Sequence, residues 1–216
     1  MSKTFNLLYV FAALLLQFFS VTSQAQSIIE AQQHKTLLIK KHGLIHSPIL
    51  NNNIHNILNR MMISSDCQVL DSDTVNAFAL SDGSLIISLG LLKLTQNPDQ
   101  MAHIMAHEYA HFELNHHQQL TTFTKKPPLF FPKKKLQKLR KKQEQAADEW
   151  ANKRLQTYGL DPNQVHHLWQ QLSQSEKLQK WSDHSQLSHR INKQSLQVPL
   201  SIDGVWQQMI HDLSQR

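Results

Sequence analysis

The sequence contains one cysteine, Cys67, in 216 residues, so it can form neither an internal disulfide bond nor a metal site built from cysteines. Charged residues make up only 18% of the chain and hydrophobic residues 40%, which excludes a disordered, highly charged tail protein. The chain also lacks internal repeats of solenoid length and any nucleic-acid-binding motif, so we expect no nucleic-acid partner. The formal net charge of +6 does not by itself identify a partner.

The N-terminal residues have the pattern of a removable export signal. Lys3 precedes an apolar run over residues 7–16, and the small residues Ser23 and Ala25 occupy the −3 and −1 positions of a cleavage site. We therefore expect a signal peptide over residues 1–25, cleavage after Ala25, and a single exported domain over residues 26–216. The alternative is an uncleaved membrane anchor, but a bilayer span needs roughly 20 apolar residues, more than this run provides.

Apolar residues recur at helical spacing in most of the remaining chain, and β-prone residues are confined to one short region. Helices are predicted over residues 27–41, 48–62, 98–118, 133–158, 161–172 and 205–213. Strands are predicted over residues 68–70, 74–80 and 85–89, with a turn at residues 81–83. The pattern indicates a mostly helical α+β fold with a small sheet or hairpin before the third helix.

Histidine is unusually frequent, with 14 residues, and two of them belong to a His-Glu-x-x-His motif. His107 and His111 are four residues apart on a predicted helix, so both imidazoles lie near one face and can reach one Zn²⁺ ion. Glu108 lies beside them, where a carboxylate can accept a proton from the attacking water without binding the metal. The motif therefore predicts a zinc site with Glu108 as the general base. A histidine-rich helix without metal is the alternative interpretation.

The third zinc ligand has two candidates. His117 has the spacing of metzincins, but their geometry needs a glycine where this chain has Leu114. Glu144 lies on a later predicted helix and would complete a His-His-Glu site with an open fourth position. Asp148, one turn after Glu144, is placed to accept a hydrogen bond from a ligand histidine. The alternative for both carboxylates is a solvated acidic patch among lysines.

Four motifs in this order resemble the zinc metallopeptidases of the gluzincin type that include HtpX, the CAAX prenyl protease and the periplasmic protease-chaperone BepA. They are residues 75–80, residues 83–92, the His-Glu-x-x-His helix and residues 144–148. The resemblance covers residues 49–190 and implies that Glu144 is the third ligand. The turn at residues 81–83 departs from the family's Pro-Gly-Gly-like turn at the substrate edge.

The resemblance also implies two further catalytic residues. In the family a late histidine is followed six residues on by an arginine, and His184 and Arg190 have this spacing. Their implied role is to donate hydrogen bonds to the oxyanion that forms during hydrolysis. Ser185 stands where the family usually has proline.

The implied function is zinc-dependent endopeptidase activity on unfolded or misassembled exported proteins in the periplasm. We expect the substrate backbone to add alongside the strand that contains Leu85, Ile86, Ile87 and Ser88, a mode that tolerates many sequences. A function of another class stays open, namely a zinc-stabilised periplasmic binding or chaperone module without turnover.

The densest positive charge lies between Lys125 and Lys142, next to the apolar residues Leu129, Phe130 and Phe131. One interpretation is a solvated helix face with an apolar contact to the core. The other is a lid over the cleft that also makes a peripheral contact with a membrane.

Overall fold

The computed structural model of the protein describes residue 26, residues 28–174 and residues 197–215. The predicted signal peptide with its cleavage after Ala25 lies outside these residues, as do His184 and Arg190. None of the helices within the described ranges combines the length and hydrophobicity that a bilayer crossing requires.

Helices dominate the described chain and surround one small sheet, so the predicted mostly helical α+β fold is confirmed. Helix α1 spans residues 28–42. The later helices are α2 (Pro48–Arg60), α3 (Leu89–Leu92), α4 (Pro98–Glu113), α5 (His116–Lys125), α6 (Pro132–Thr157), α7 (Val165–Gln174) and α8 (Gly204–Ser214), with a 3₁₀ turn at Pro162–Gln164. The strands are β1 (Cys67–Leu70), β2 (Ala77–Ala79) and β3 (Leu85–Ser88).

The sheet places β3 between the other two strands. β3 pairs with β1 in parallel and with β2 in antiparallel orientation. The prediction that substrate adds alongside Leu85, Ile86, Ile87 and Ser88 is therefore wrong, because both hydrogen-bonding edges of this strand are used within the sheet. All four residues are also buried.

Helices cover both faces of the sheet, which explains why β3 is buried on both sides. Leu85 and Ile87 face the main core, which also contains the apolar side chains of α2 and α4. Ile86 faces the opposite way and packs in a smaller cluster with Ala31 and Leu38 of α1. The continuous apolar character of β3 follows from this two-sided burial.

Helix α4 passes through the main core, and most of its residues are buried. It begins as the sequence predicts, since the side chain of Asn97 accepts a hydrogen bond from the backbone N–H of Gln100 and Pro98 occupies the first turn. It ends at Glu113, before the predicted residue 118, because Asn115 has a left-handed conformation with φ 55°. Asparagine tolerates this conformation better than most residues, and α5 starts immediately after it.

Candidate metal centre

Two helices bring three potential metal ligands to one point. α4 carries His107 and His111 one turn apart, and α6 packs along α4 and carries Glu144. The two histidine Nε2 atoms are 3.1 Å apart, and each lies 3.5 Å from an oxygen of Glu144. Among the described residues, this is the group of three His, Cys, Asp or Glu donors whose ligand atoms all lie within 4.8 Å of one another.

The spacing of these donor atoms fits a tetrahedral metal ion. Ligand atoms at about 2.0–2.1 Å from zinc lie roughly 3.3 Å from each other when the angles are tetrahedral. The 3.1 Å between the two histidine nitrogens is close to this value, as are the 3.5 Å from Nε2 of His107 to Oε2 of Glu144 and from Nε2 of His111 to Oε1. Two imidazole nitrogens and a carboxylate that face one point form a set of donors that a zinc ion can bind. Two histidines and one glutamate leave a fourth position open, as in catalytic zinc sites.

His107 is oriented by a carboxylate on α6. Its Nδ1 atom lies 2.9 Å from Oδ1 of Asp148, one turn after Glu144. A ligand nitrogen must be unprotonated, so a neutral His107 that binds metal through Nε2 carries its proton on Nδ1 and donates it to Asp148. The His107 side chain is only 2% exposed, so no water can replace this acceptor easily. α6 therefore supplies both the third donor and the group that orients His107.

His111 has a different partner, His116, which the motif did not predict. The Nδ1 atoms of the two rings are 2.9 Å apart. If His111 likewise binds a metal through Nε2, it carries its proton on Nδ1 and donates a hydrogen bond to Nδ1 of His116, and a neutral His116 is then protonated on Nε2. Burial lowers the pKa of His116, and the opposing effect of the Glu144 carboxylate is smaller. The lowered pKa favours the neutral form that an acceptor must have.

The helix break at Asn115 makes the contact between His111 and His116 possible. In a continuous helix, residues five apart point about 140° away from each other. Asn115 ends α4 and starts α5 in a new direction, and this returns His116 to the metal centre. The asparagine was the available sequence signal for this break.

A glutamine next to Glu144 holds the start of α5. The side-chain amide of Gln143 donates to the backbone oxygen of His116 at 3.2 Å and to Oε1 of Gln119 at 3.0 Å. Gln143 is buried, so these bonds are sheltered from water. One turn of α6 thus supplies the third donor and anchors the segment that supports His111.

The remaining predicted residues differ in their placement. Glu108 is buried beside His107 on α4, consistent with a carboxylate inside the centre. His117, the alternative third ligand, is exposed and does not belong to the three-donor group. His184 and Arg190 lie outside the described residues, so their position relative to the centre stays a prediction.

An open cleft of about 1150 Å³ adjoins the centre at His111. Its walls include Glu30 and Leu37 of α1, Phe78 of β2 and Thr121 of α5. β2 is an edge strand of the described sheet, since its pairing partner there is β3 alone. The cleft therefore runs beside an edge of the sheet and reaches His111, one of the three potential metal ligands.

Residues 48–131 match the model of peptidase family M48. The predicted resemblance to zinc metallopeptidases is confirmed. The matched segment contains His107, Glu108, His111 and His116, and it ends before Glu144. The family match therefore supports a peptidase, while the case for Glu144 comes from the geometry of the donors.

Two relatives carry names that describe a specific activity. A Yersinia pestis protein named "Beta-barrel assembly-enhancing protease" is 28% identical over 80 residues, which cover 34% of this chain and 16% of the relative. A Vibrio cholerae protein, named as a proposed protease of the same kind, is 28% identical over 98 residues, 42% of this chain and 20% of the relative. The similarity thus covers a minor part of each relative.

Proposed function

We propose that this chain is a zinc-dependent metalloendopeptidase of the gluzincin type that hydrolyses unfolded or misassembled exported proteins in the periplasm. The convergence of His107, His111 and Glu144, beside the buried Glu108 and an open cleft, carries this proposal. The names of the two relatives support a role in the assembly of β-barrel proteins. The export signal predicted for residues 1–25 supports a location outside the cytoplasm.

Each residue of the centre has a distinct role in the proposed reaction. His107, His111 and Glu144 would hold Zn²⁺, which would act as a Lewis acid and polarise the carbonyl of the scissile bond. Glu108 accepts the proton of the attacking water and later delivers it to the leaving amine. Asp148 and His116 are positioning residues, because each accepts a hydrogen bond from Nδ1 of one ligand histidine.

The substrate backbone is proposed to add to β2 and not to β3. β2 is at the edge of the described sheet, and Phe78 and Ala79 of this strand line the cleft that reaches His111. Binding through main-chain hydrogen bonds tolerates many side chains. This tolerance suits an enzyme that acts on unfolded proteins of different sequences. The roles of His184 and Arg190 as oxyanion donors rest on the family resemblance.

The decisive experiment compares Glu108→Gln with Glu113→Gln, a matched change at an exposed position on the same helix. We expect Glu108→Gln to abolish cleavage of an unfolded protein such as casein, with one zinc ion per chain retained in wild type and variant. Cleavage should fall by a factor of about 10² or more, the usual contribution of a general base, and Glu113→Gln should cleave normally.

Two results would contradict the proposal. Undiminished cleavage by Glu108→Gln would show that the observed hydrolysis comes from another residue or a contaminant. Wild-type protein that carries zinc and binds casein without cleaving it would identify a zinc-stabilised binding or chaperone module instead.

A further inference from the structure

A loop between α5 and α6 exposes three large apolar side chains. Leu129 is 94% exposed, Phe130 72% and Phe131 74%. Isolated exposed apolar residues are common, but three consecutive ones at a loop tip form a contiguous apolar surface. The interpretation of this segment as an apolar contact to the core is therefore wrong, because the side chains point away from it.

The same segment carries unbalanced positive charge. We call residues 125–142 the basic lip. It contains no Asp or Glu, and its cations are Lys125, Lys126, Lys133, Lys134, Lys135, Lys138, Arg140, Lys141 and Lys142. All of these side chains are exposed, and the ion pairs found between described residues involve none of them. Positive charge therefore surrounds the apolar tip without local compensation.

The backbone of the lip keeps the tip away from the core. Pro127, Pro128 and Pro132 prevent α5 from continuing into α6 and force a loop between them. Phe131 begins α6 in a left-handed conformation with φ 54°, which is unfavourable for an aromatic residue. An unfavourable conformation that holds an aromatic ring in solvent indicates a function for the exposed ring.

We propose that the basic lip docks on an anionic membrane surface, with Leu129, Phe130 and Phe131 inserted below the lipid headgroups. Apolar side chains that enter the headgroup region and cations that contact anionic lipids are the two signals that stable peripheral binding requires. The lip supplies both within one loop and the helix start that follows it.

The combination of features favours a lipid surface over other partners of the lip. An anionic bilayer offers an apolar layer directly beneath a layer of negative charge, which matches an apolar tip flanked by cations. Nucleic acid offers the negative charge without an apolar layer for aliphatic side chains. An acidic protein surface is the competing partner, and the experiments below distinguish it.

Vesicle partitioning tests this proposal without any measurement of hydrolysis, so its failure and that of the peptidase proposal are distinguishable. The wild-type chain should sediment with phosphatidylcholine vesicles that contain about 30% phosphatidylglycerol, and much less with phosphatidylcholine alone. Replacing Leu129, Phe130 and Phe131 together with serine should weaken partitioning by about tenfold or more. The matched control replaces Ile49, Ile202 and Val205, which are 65%, 66% and 81% exposed, with serine and should partition as wild type.

A series of lysine substitutions separates electrostatic attraction to the lipid headgroups from insertion of the apolar side chains. Changing Lys133, Lys134 and Lys135 to glutamine should weaken binding to the anionic vesicles, whereas changing the exposed Lys40, Lys41 and Lys153 should have a smaller effect. All variants keep the same N-terminal residues, so any contribution of residues 1–25 to vesicle binding cancels in the comparison.

A fluorophore at the tip reports insertion directly. Cys67 is the one natural thiol and is half-buried, so the probe is attached through Phe130→Cys in a Cys67→Ser background. Its emission should shift to shorter wavelength with anionic vesicles, and the same probe at Val205→Cys should not shift. Equal partitioning of the triple serine variant and wild type, or no probe shift at Phe130→Cys, would overturn the proposal. Binding to acidic peptides in place of vesicles would identify a protein partner for the lip.

Discussion

The two histidines of the proposed zinc site lie one turn apart on the same helix, yet different neighbours hold them. His107 is 2% exposed and donates to the carboxylate of Asp148, whereas His111 is 21% exposed and donates to the imidazole of His116. Asp148 comes from α6, which also carries Glu144, and His116 comes from the start of α5. One ligand is thus oriented by a carboxylate of α6 and the other by a buried imidazole at the start of α5.

The difference indicates how each partner contributes to metal binding. A carboxylate makes a charge-assisted hydrogen bond, which is roughly twice as strong as one between neutral groups. His107 cannot exchange its partner for water without exposing a buried group, but His111 has access to the cleft. We therefore expect Asp148 to contribute more to zinc affinity than His116.

Removing either ligand histidine should have the largest effect, and the effect should be the same for His107 and His111. His107→Ala or His111→Ala leaves two protein ligands, fewer than the three that catalytic zinc sites use. Zinc content, measured by elemental analysis after dialysis, should fall close to zero in both variants, while His117→Ala keeps wild-type zinc. Loss of zinc in His117→Ala, with full zinc in a Glu144→Ala variant, would support the metzincin arrangement instead.

Changes at Asp148 should have the next largest effect. Asp148→Leu leaves the Nδ1 proton of the buried His107 without an acceptor, so zinc affinity should fall by about 10- to 100-fold. Asp148→Asn keeps an oxygen acceptor but loses the charge, so its affinity should lie between those of wild type and Asp148→Leu. Competition with a chromophoric chelator measures all three affinities. An Asp148→Asn variant as weak as Asp148→Leu would show that the charge, and not the hydrogen bond, is what matters.

Changes at His116 should have the smallest effect and reveal whether the hydrogen bond matters at all. His116→Leu removes the acceptor and should lower zinc affinity by about tenfold, the low end for such partners, because His111 is partly exposed. His116→Asn has the same shape as leucine but places an amide oxygen near the position of Nδ1, so it should restore most of the affinity.

The two His116 variants show whether His116 orients His111 or contributes only through packing. A purely structural role for His116 predicts that His116→Leu and His116→Asn bind zinc equally, whatever their thermal stability. His117→Leu changes the neighbouring exposed histidine and serves as the control, with zinc affinity expected to equal that of wild type.

Several elements were predictable because their signals are local. Asn97 with Pro98 and Ser47 with Pro48 mark the starts of α4 and α2, and both caps form in the structure. The prolines between α5 and α6 mark a loop for an equally local reason, the missing N–H and the fixed ring. The spacing of His107 and His111 required only the pitch of one helix.

The sheet order was not predictable from the same kind of signal. The apolar run of residues 85–88 indicates a buried strand, but it does not say whether one or both edges are paired. Strand pairing is a tertiary property. β1 pairs with β3, although β2 lies between them in the sequence. The sequence therefore predicted β3 as the strand that binds substrate, whereas the proposed strand is β2.

The sequence by itself determined the helix that carries His107, Glu108 and His111, because turn geometry and capping act within a few residues. Only the tertiary structure decided which distant groups complete the centre. Glu144 and Asp148 reach it through the packing of α6 on α4, and His116 reaches it through one left-handed residue at position 115. Such contacts depend on how helices pack and where a helix ends, and these are set by the whole core and not by local spacing.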